Sequence, residues 1–145
     1  MRQLDVRLNR HTPLVLSVFR VVCAFMYTAA GASKLFHWPV PVWAAPRFGS
    51  WPIWWAGVIE FVAGMLILLG LFTRPAAFLA SGEMAMAYFT QHQPRALWPI
   101  DPAQDYGEIP ILYCFAFLLL VFAGGGAYAL DNVWRRRRAL TASRR

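Results

Sequence analysis

Two carboxylates set inside long apolar runs restrict this chain more than any other feature. Residues 57–92 read GVIEFVAGMLILLGLFTRPAAFLASGEMAMAYFTQH, two hydrophobic stretches joined by Thr73-Arg74-Pro75, with Glu60 in the first and Glu83 in the second. Water-soluble domains rarely place ionisable groups in such runs. In a bilayer each acid is costly unless it is paired or lines a polar cavity, so each is a candidate site residue.

The remaining composition supports a membrane setting. Of 145 residues, 59% are hydrophobic and 14% charged, whereas a soluble domain carries about 25% charged residues. The length suits one domain. The net charge of +7 is concentrated at the ends, in Arg2, Arg7 and Arg10 and again in Arg135 to Arg138, Arg144 and Arg145. Basic residues flanking a hydrophobic block read as cytoplasmic anchors beside an anionic membrane surface. No interleaved aromatic-basic surface accompanies them, so the expected partner is the lipid bilayer and not nucleic acid. Cys23 and Cys114 form neither a CxxC nor a zinc spacing and read as small buried hydrophobes.

The pattern predicts an all-α integral membrane bundle of four transmembrane helices with both termini cytoplasmic. Residues 1–13 form a basic N-terminal segment, residues 14–131 the bundle and residues 132–145 a basic tail. The spans are placed at 14–36, 53–72, 76–91 and 110–130. The rival reading of the first span, a cleaved signal peptide ending near Ala30-Gly31-Ala32, is weakened by Arg20 within its apolar part. Pro- and Trp-bearing loops, 37–52 and 93–109, suit the outer interface. The second of these carries Asp101, Asp105 and Glu108. The third span is short and interrupted by Ser81, Gly82 and Glu83, which predicts a place inside the bundle. Gly124 to Gly126, within the fourth, suit either close helix approach or local flexibility. The two long loops hold only Arg47 and Arg95, so the positive-inside rule puts both termini in the cytoplasm.

Depth along antiparallel helices then suggests two polar layers. Arg20 falls roughly 9 Å and Glu83 roughly 10–12 Å from the inner face, which predicts a structural ion pair. Glu60 falls roughly 10 Å and Lys34 roughly 3 Å from the outer face. With His92 and Glu108 at the same mouth, these four form a candidate polar pocket. Individually, Lys34 can snorkel to the interface and His92 is ordinary at a helix end. One His and two carboxylates without a second His at helical spacing do not make a metal set, so no metal is expected.

The order Arg20, Gly31, Lys34, Glu60, Gly64 and Gly70-Leu-Phe-Thr-Arg-Pro-Ala-Ala77 resembles the DoxX family of small bacterial membrane proteins. Ala87, His92, Glu108, Leu112-Tyr113, Gly124, Gly126 and Asp131 extend the resemblance over most of the chain. It implies a multi-pass protein of the bacterial cytoplasmic (inner) membrane. The family is named after a subunit associated with a terminal quinol oxidase and thiosulfate:quinone oxidoreduction, and other members are linked to redox-homeostasis complexes. The chain has no pair of helical haem-ligand histidines, no flavin fingerprint and no redox dithiol. The resemblance therefore implies at most an oxidoreductase subunit with no cofactor of its own. A quinone is the implied ligand, and a soluble or membrane redox protein the implied partner. Trp51, Trp54 and Trp55 are expected to wall the quinone ring. The alternatives are a non-catalytic anchor or assembly factor, and a small-molecule carrier with a polar cavity.

Overall fold

The computed structural model describes residues 2–41, 46–94 and 107–134. They form α1 (Arg2–Phe36), α2 (Ile53–Leu69), α3 (Thr73–Ala87), a π-helical turn (Tyr88–His92) that prolongs α3, and α4 (Glu108–Ala123). No strand occurs among the described residues. The Leu8–Phe36 stretch of α1 is long and apolar enough to cross a membrane, while α2 and α4 are shorter apolar helices of 17 and 16 residues.

Small residues set how closely these helices approach. α1 runs antiparallel to α2, with Gly31 against the backbone of Gly57 and Phe61, and Gly64 against Thr28. A Cβ at Gly31 would stand 2.5 Å from the Phe61 nitrogen, so only glycine permits this crossing. α3 packs on α4 and on α2. The core they enclose combines Ala24, Ala63, Ala77 and Ala80 with Tyr27, Ile67, Phe117 and Leu120.

Polarity is distributed inversely to that of a soluble bundle. Val18, Val22, Phe25 and Met26 on α1, Phe78 and Met86 on α3, and Leu112, Phe115, Leu119 and Phe122 on α4 are exposed. Arg20, Thr28, Glu60, Thr73 and Ser81 are buried. Many long apolar side chains thus point outward while several polar ones point inward.

One end of the bundle is closed by the chain after α4. α2 stops at Gly70, which takes a left-handed conformation (φ 70°) while its N–H reaches Ile67 O at 3.0 Å and Leu71 N–H reaches Leu66 O at 2.9 Å, a Schellman arrangement. The Asp131 carboxylate accepts from Phe72 N–H at 2.8 Å and Thr73 N–H at 2.9 Å, at the positive end of α3. Ala127 N–H donates to Pro13 O, and Asp131 N–H donates to Gly70 O. The start of the apolar part of α1, the α2–α3 turn and the chain after α4 are thus tied together.

Several expected boundaries differ. The basic N-terminal segment, placed apart at 1–13, is helical from Arg2 and continuous with the first span, because Pro13 interrupts the hydrogen-bond ladder without ending the helix. The second span ends at Leu69, not at residue 72. The third begins at Thr73, not at residue 76. The fourth ends at Ala123, where Gly124 turns out of the helix at φ 81°, so Gly124 to Gly126 form a loop packed on Pro13 and Ser17. α3 is not enclosed either: it buries Ala76, Ala77, Ala80 and Ser81 but exposes Phe78 and Leu79. The loop acids Asp101 and Asp105, Arg95 and the tail from residue 135 lie outside the described residues.

Candidate functional site

The inward face of α1 organises the polar interior. Ser17, Arg20, Ala24, Tyr27, Thr28 and Gly31 are buried, and Lys34 is partly buried. Their spacing of three and four residues defines one helical stripe. Arg20, Tyr27 and Lys34 lie on it at intervals of seven residues, two turns each.

Lys34 donates from Nζ to Glu60 Oε1 across the α1–α2 interface at 2.5 Å. The lysine side chain keeps 27% of its surface exposed and that of Glu60 only 3%, so the lysine is the accessible end of the pair. The second carboxylate oxygen, Glu60 Oε2, is buried with no hydrogen-bond partner among the described residues. Two turns further along α1, Tyr27 Oη donates to Glu83 Oε2 on α3 at 3.0 Å. Tyr27 is 1% exposed and packs edge-on against Phe117 of α4 at 4.7 Å, with Tyr113 at 5.9 Å. Four titratable side chains from three helices therefore meet in adjacent layers, walled by aromatic rings of the fourth.

The expected Arg20–Glu83 pair does not form. Arg20 donates from Nε to Gly125 O at 2.8 Å, from Nη1 to Ile67 O and Leu68 O at 2.5 and 2.6 Å, and from Nη2 to Tyr128 O at 3.2 Å. Glu83 lies level with Tyr27. Seven residues separate Tyr27 from Arg20, about 10 Å of helix rise, which is beyond the reach of a guanidinium. Depths counted from residues 76 and 14 are offset because α3 opens at Thr73 and α1 runs on to Arg2.

The outer candidates are brought together in part. The structure joins Lys34 to Glu60 directly. His92 ends the π-helical turn, and Gly107, just before Glu108, packs against His92 and Tyr88. His92 thus lies beside the residue that precedes Glu108, and Glu108 Oε2 is buried without a hydrogen-bond partner among the described residues. The tryptophans do not form a wall. Trp51 is 72% exposed, Trp55 is exposed as well, and Trp54 packs on Phe48 at 4.8 Å.

Tyr27 is the site residue not singled out from the sequence, and its signal is the seven-residue interval that separates it from both Arg20 and Lys34. Two clefts of about 470 and 440 Å³ flank the Arg20 clasp, the first lined by Ser17, Arg20, Leu68 and Tyr128, the second by Pro13, Arg74, Gly125 and Asp131. Neither contains Lys34 or Glu60. No group of three or more metal-ligating side chains gathers among the described residues.

An all-α bundle with a polar interior and an apolar exterior, keyed by these residues, defines the class. Residues 15–93 match the DoxX family profile. The chain is also 40% identical over 126 residues to a Haemophilus influenzae protein described as uncharacterized, a match that covers 86% of this chain and 94% of the relative. The chain belongs to the DoxX family, which is membrane-associated. No solved structure matches it.

Proposed function

We propose that this chain is a four-span protein of the bacterial cytoplasmic membrane that serves a quinone-linked oxidoreductase as its membrane subunit, contributing a polar binding site. The outward belt of Val18, Phe25, Phe78, Phe115 and Phe122 supports the membrane placement, since these side chains have no water-excluding partner within the bundle. The observation that carries the site is the Lys34–Glu60 pair, with one carboxylate oxygen buried and unpartnered and the lysine partly accessible. A quinone carbonyl accepts hydrogen bonds, and its reduction to the quinol takes two electrons and two protons. Lys34 Nζ donates to such a carbonyl, and Glu60 is the nearest carboxyl to relay a proton. In this reading the electrons come from a redox partner protein.

Binding of a short-chain quinone to the purified protein, followed by calorimetry in mild detergent, tests this reading. Lys34→Met and Glu60→Gln should each weaken binding roughly 10- to 100-fold, the worth of one charge-assisted hydrogen bond. One observation favours a rival: Lys34 and Glu60 already satisfy one another, as the buried charges of a scaffold or assembly factor would. Equal binding by wild type and both variants, or no binding at all, decides for the scaffold.

A further inference from the structure

The charges in the polar interior do not balance as they stand. Around Tyr27 the structure gathers two carboxylates, Glu60 of α2 and Glu83 of α3, and one cation, Lys34 of α1. The other titratable groups facing them are Cys23 on α1 and Tyr113 and Cys114 on α4. These carry no charge in their ordinary forms at neutral pH. Arg20 offers no relief: it lies about 10 Å further along α1, is bonded to four carbonyls, and has Asp131 as its nearby countercharge. The Lys34 ammonium with two carboxylates would leave one uncompensated negative charge in a water-excluded interior, a costly arrangement.

Placement shows how that charge can be removed. Gly31 seats the Glu60 Cβ against α1, and Tyr27 holds Glu83 one turn away, about 6 Å along the helix. The two carboxylates are close enough to act on one another electrostatically, and Lys34 acts on both. Independently of the charge count, Glu60 Oε2 is buried without a hydrogen-bond partner among the described residues, an acceptor position left open within this cluster. From these observations we infer that Glu60 and Glu83, with Tyr27 as hydrogen-bond donor, form a site for one exchangeable proton that neutralises the bundle interior. The proton sits on one of the two carboxyl groups, leaving one carboxylate opposite one ammonium. No bond other than O–H forms or breaks, and the proton comes from water.

This deepens the reading above by naming the inner half of its site, yet it rests only on the four side chains and needs no quinone. Infrared spectroscopy of purified protein in lipid nanodiscs tests it, because the C=O stretch of a carboxylic acid is distinct from the bands of a carboxylate. Glu108→Gln serves as the background, removing the other buried carboxyl. At neutral pH this protein should show one carboxylic-acid band that shifts in D2O. Adding Glu83→Gln or Glu60→Gln should abolish the band, since either leaves one carboxylate for Lys34. Adding Lys34→Met should double it, since both acids must then be neutral. Three results overturn the inference: no acid band in the Glu108→Gln protein, a band that does not shift in D2O, or an unchanged band in Lys34→Met. A band present in choline buffer but lost in sodium buffer also overturns it, because the site would then take a metal cation. The Glu108→Gln protein alone decides the first point, whichever further variants fold. Quinone binding is measured separately, so failure there leaves this result standing.

Discussion

Arg20 shows how a charge can be buried in this interior without an ionic partner in hydrogen-bond contact. A guanidinium carries five N–H donors in a fixed fork. Here four bonds run to carbonyls on two separate segments, the end of α2 and the loop after α4. Carbonyls at a helix C-terminus have no intrahelical donor, and the negative end of the helix dipole faces the cation. Lysine has three donors at a single point and cannot span the two segments. Double-mutant cycles in mild detergent separate this arrangement from the ion pair that depth counting suggested. Arg20→Ala with Glu83→Ala should be additive within about 0.5 kcal/mol, since no partner is shared across about 10 Å. Tyr27→Phe with Glu83→Gln should deviate from additivity by about 0.5–3 kcal/mol, because these side chains touch. The reverse outcome would restore the Arg20–Glu83 pair. The sequence made all of these charged positions visible, because each interrupts an apolar run. It did not reveal which acid meets which base, since a shift of one or two turns between helices leaves the pattern unchanged.

Helix register depends on the glycines more than on the charges. Gly31 and Gly64 lie on opposite sides of one crossing, and each occupies space that a methyl group would share with the partner helix. At Gly31 the added Cβ would also press on Glu60 Cβ at 2.9 Å, so the crossing and the Lys34–Glu60 pair are set by the same contact. Gly82 on α3 has nothing within 4 Å of its missing Cβ. Gly31→Ala should therefore lower the detergent melting temperature and weaken quinone binding with it. Gly82→Ala should leave melting unchanged or raise it, since alanine gains up to about 1 kcal/mol over glycine within a helix. Equal effects of the two would show that the crossing tolerates a methyl group and that another contact fixes the register. Four helices and their order were legible from apolar periodicity and from the Pro-rich breaks at residues 37–52 and 93–109. Their ends were less so. Gly70 and Gly124 both stop helices by leaving right-handed geometry, but Gly124 lay within a run that composition alone extended to Leu130.

On the scale of the whole molecule, the clasp settles which segments share an end, and charge then suggests which side of the membrane that end faces. Pro13, Phe72, Thr73, Ala127 and Asp131 are joined by hydrogen bonds, so the N-terminal part of α1, the α2–α3 turn and the chain after α4 lie together. Arg10 and Arg74 belong to that end, and in the sequence further basic residues precede and follow the apolar block. The opposite end receives the close of α1, the start of α2 and the tryptophan-bearing segment, where Arg47 is the one arginine among the described residues. Cytoplasmic loops carry an excess of Lys and Arg, so the clasped end should face the cytoplasm. A reporter active only in the periplasm, fused after residue 45, 100 or 145, tests the arrangement in living cells. Activity is expected at the first two positions and absent at the last. Activity at the C-terminus, or silence at residue 100, would break the four-span topology, and Lys34 and Glu60 could no longer be assigned to a site near the outer face.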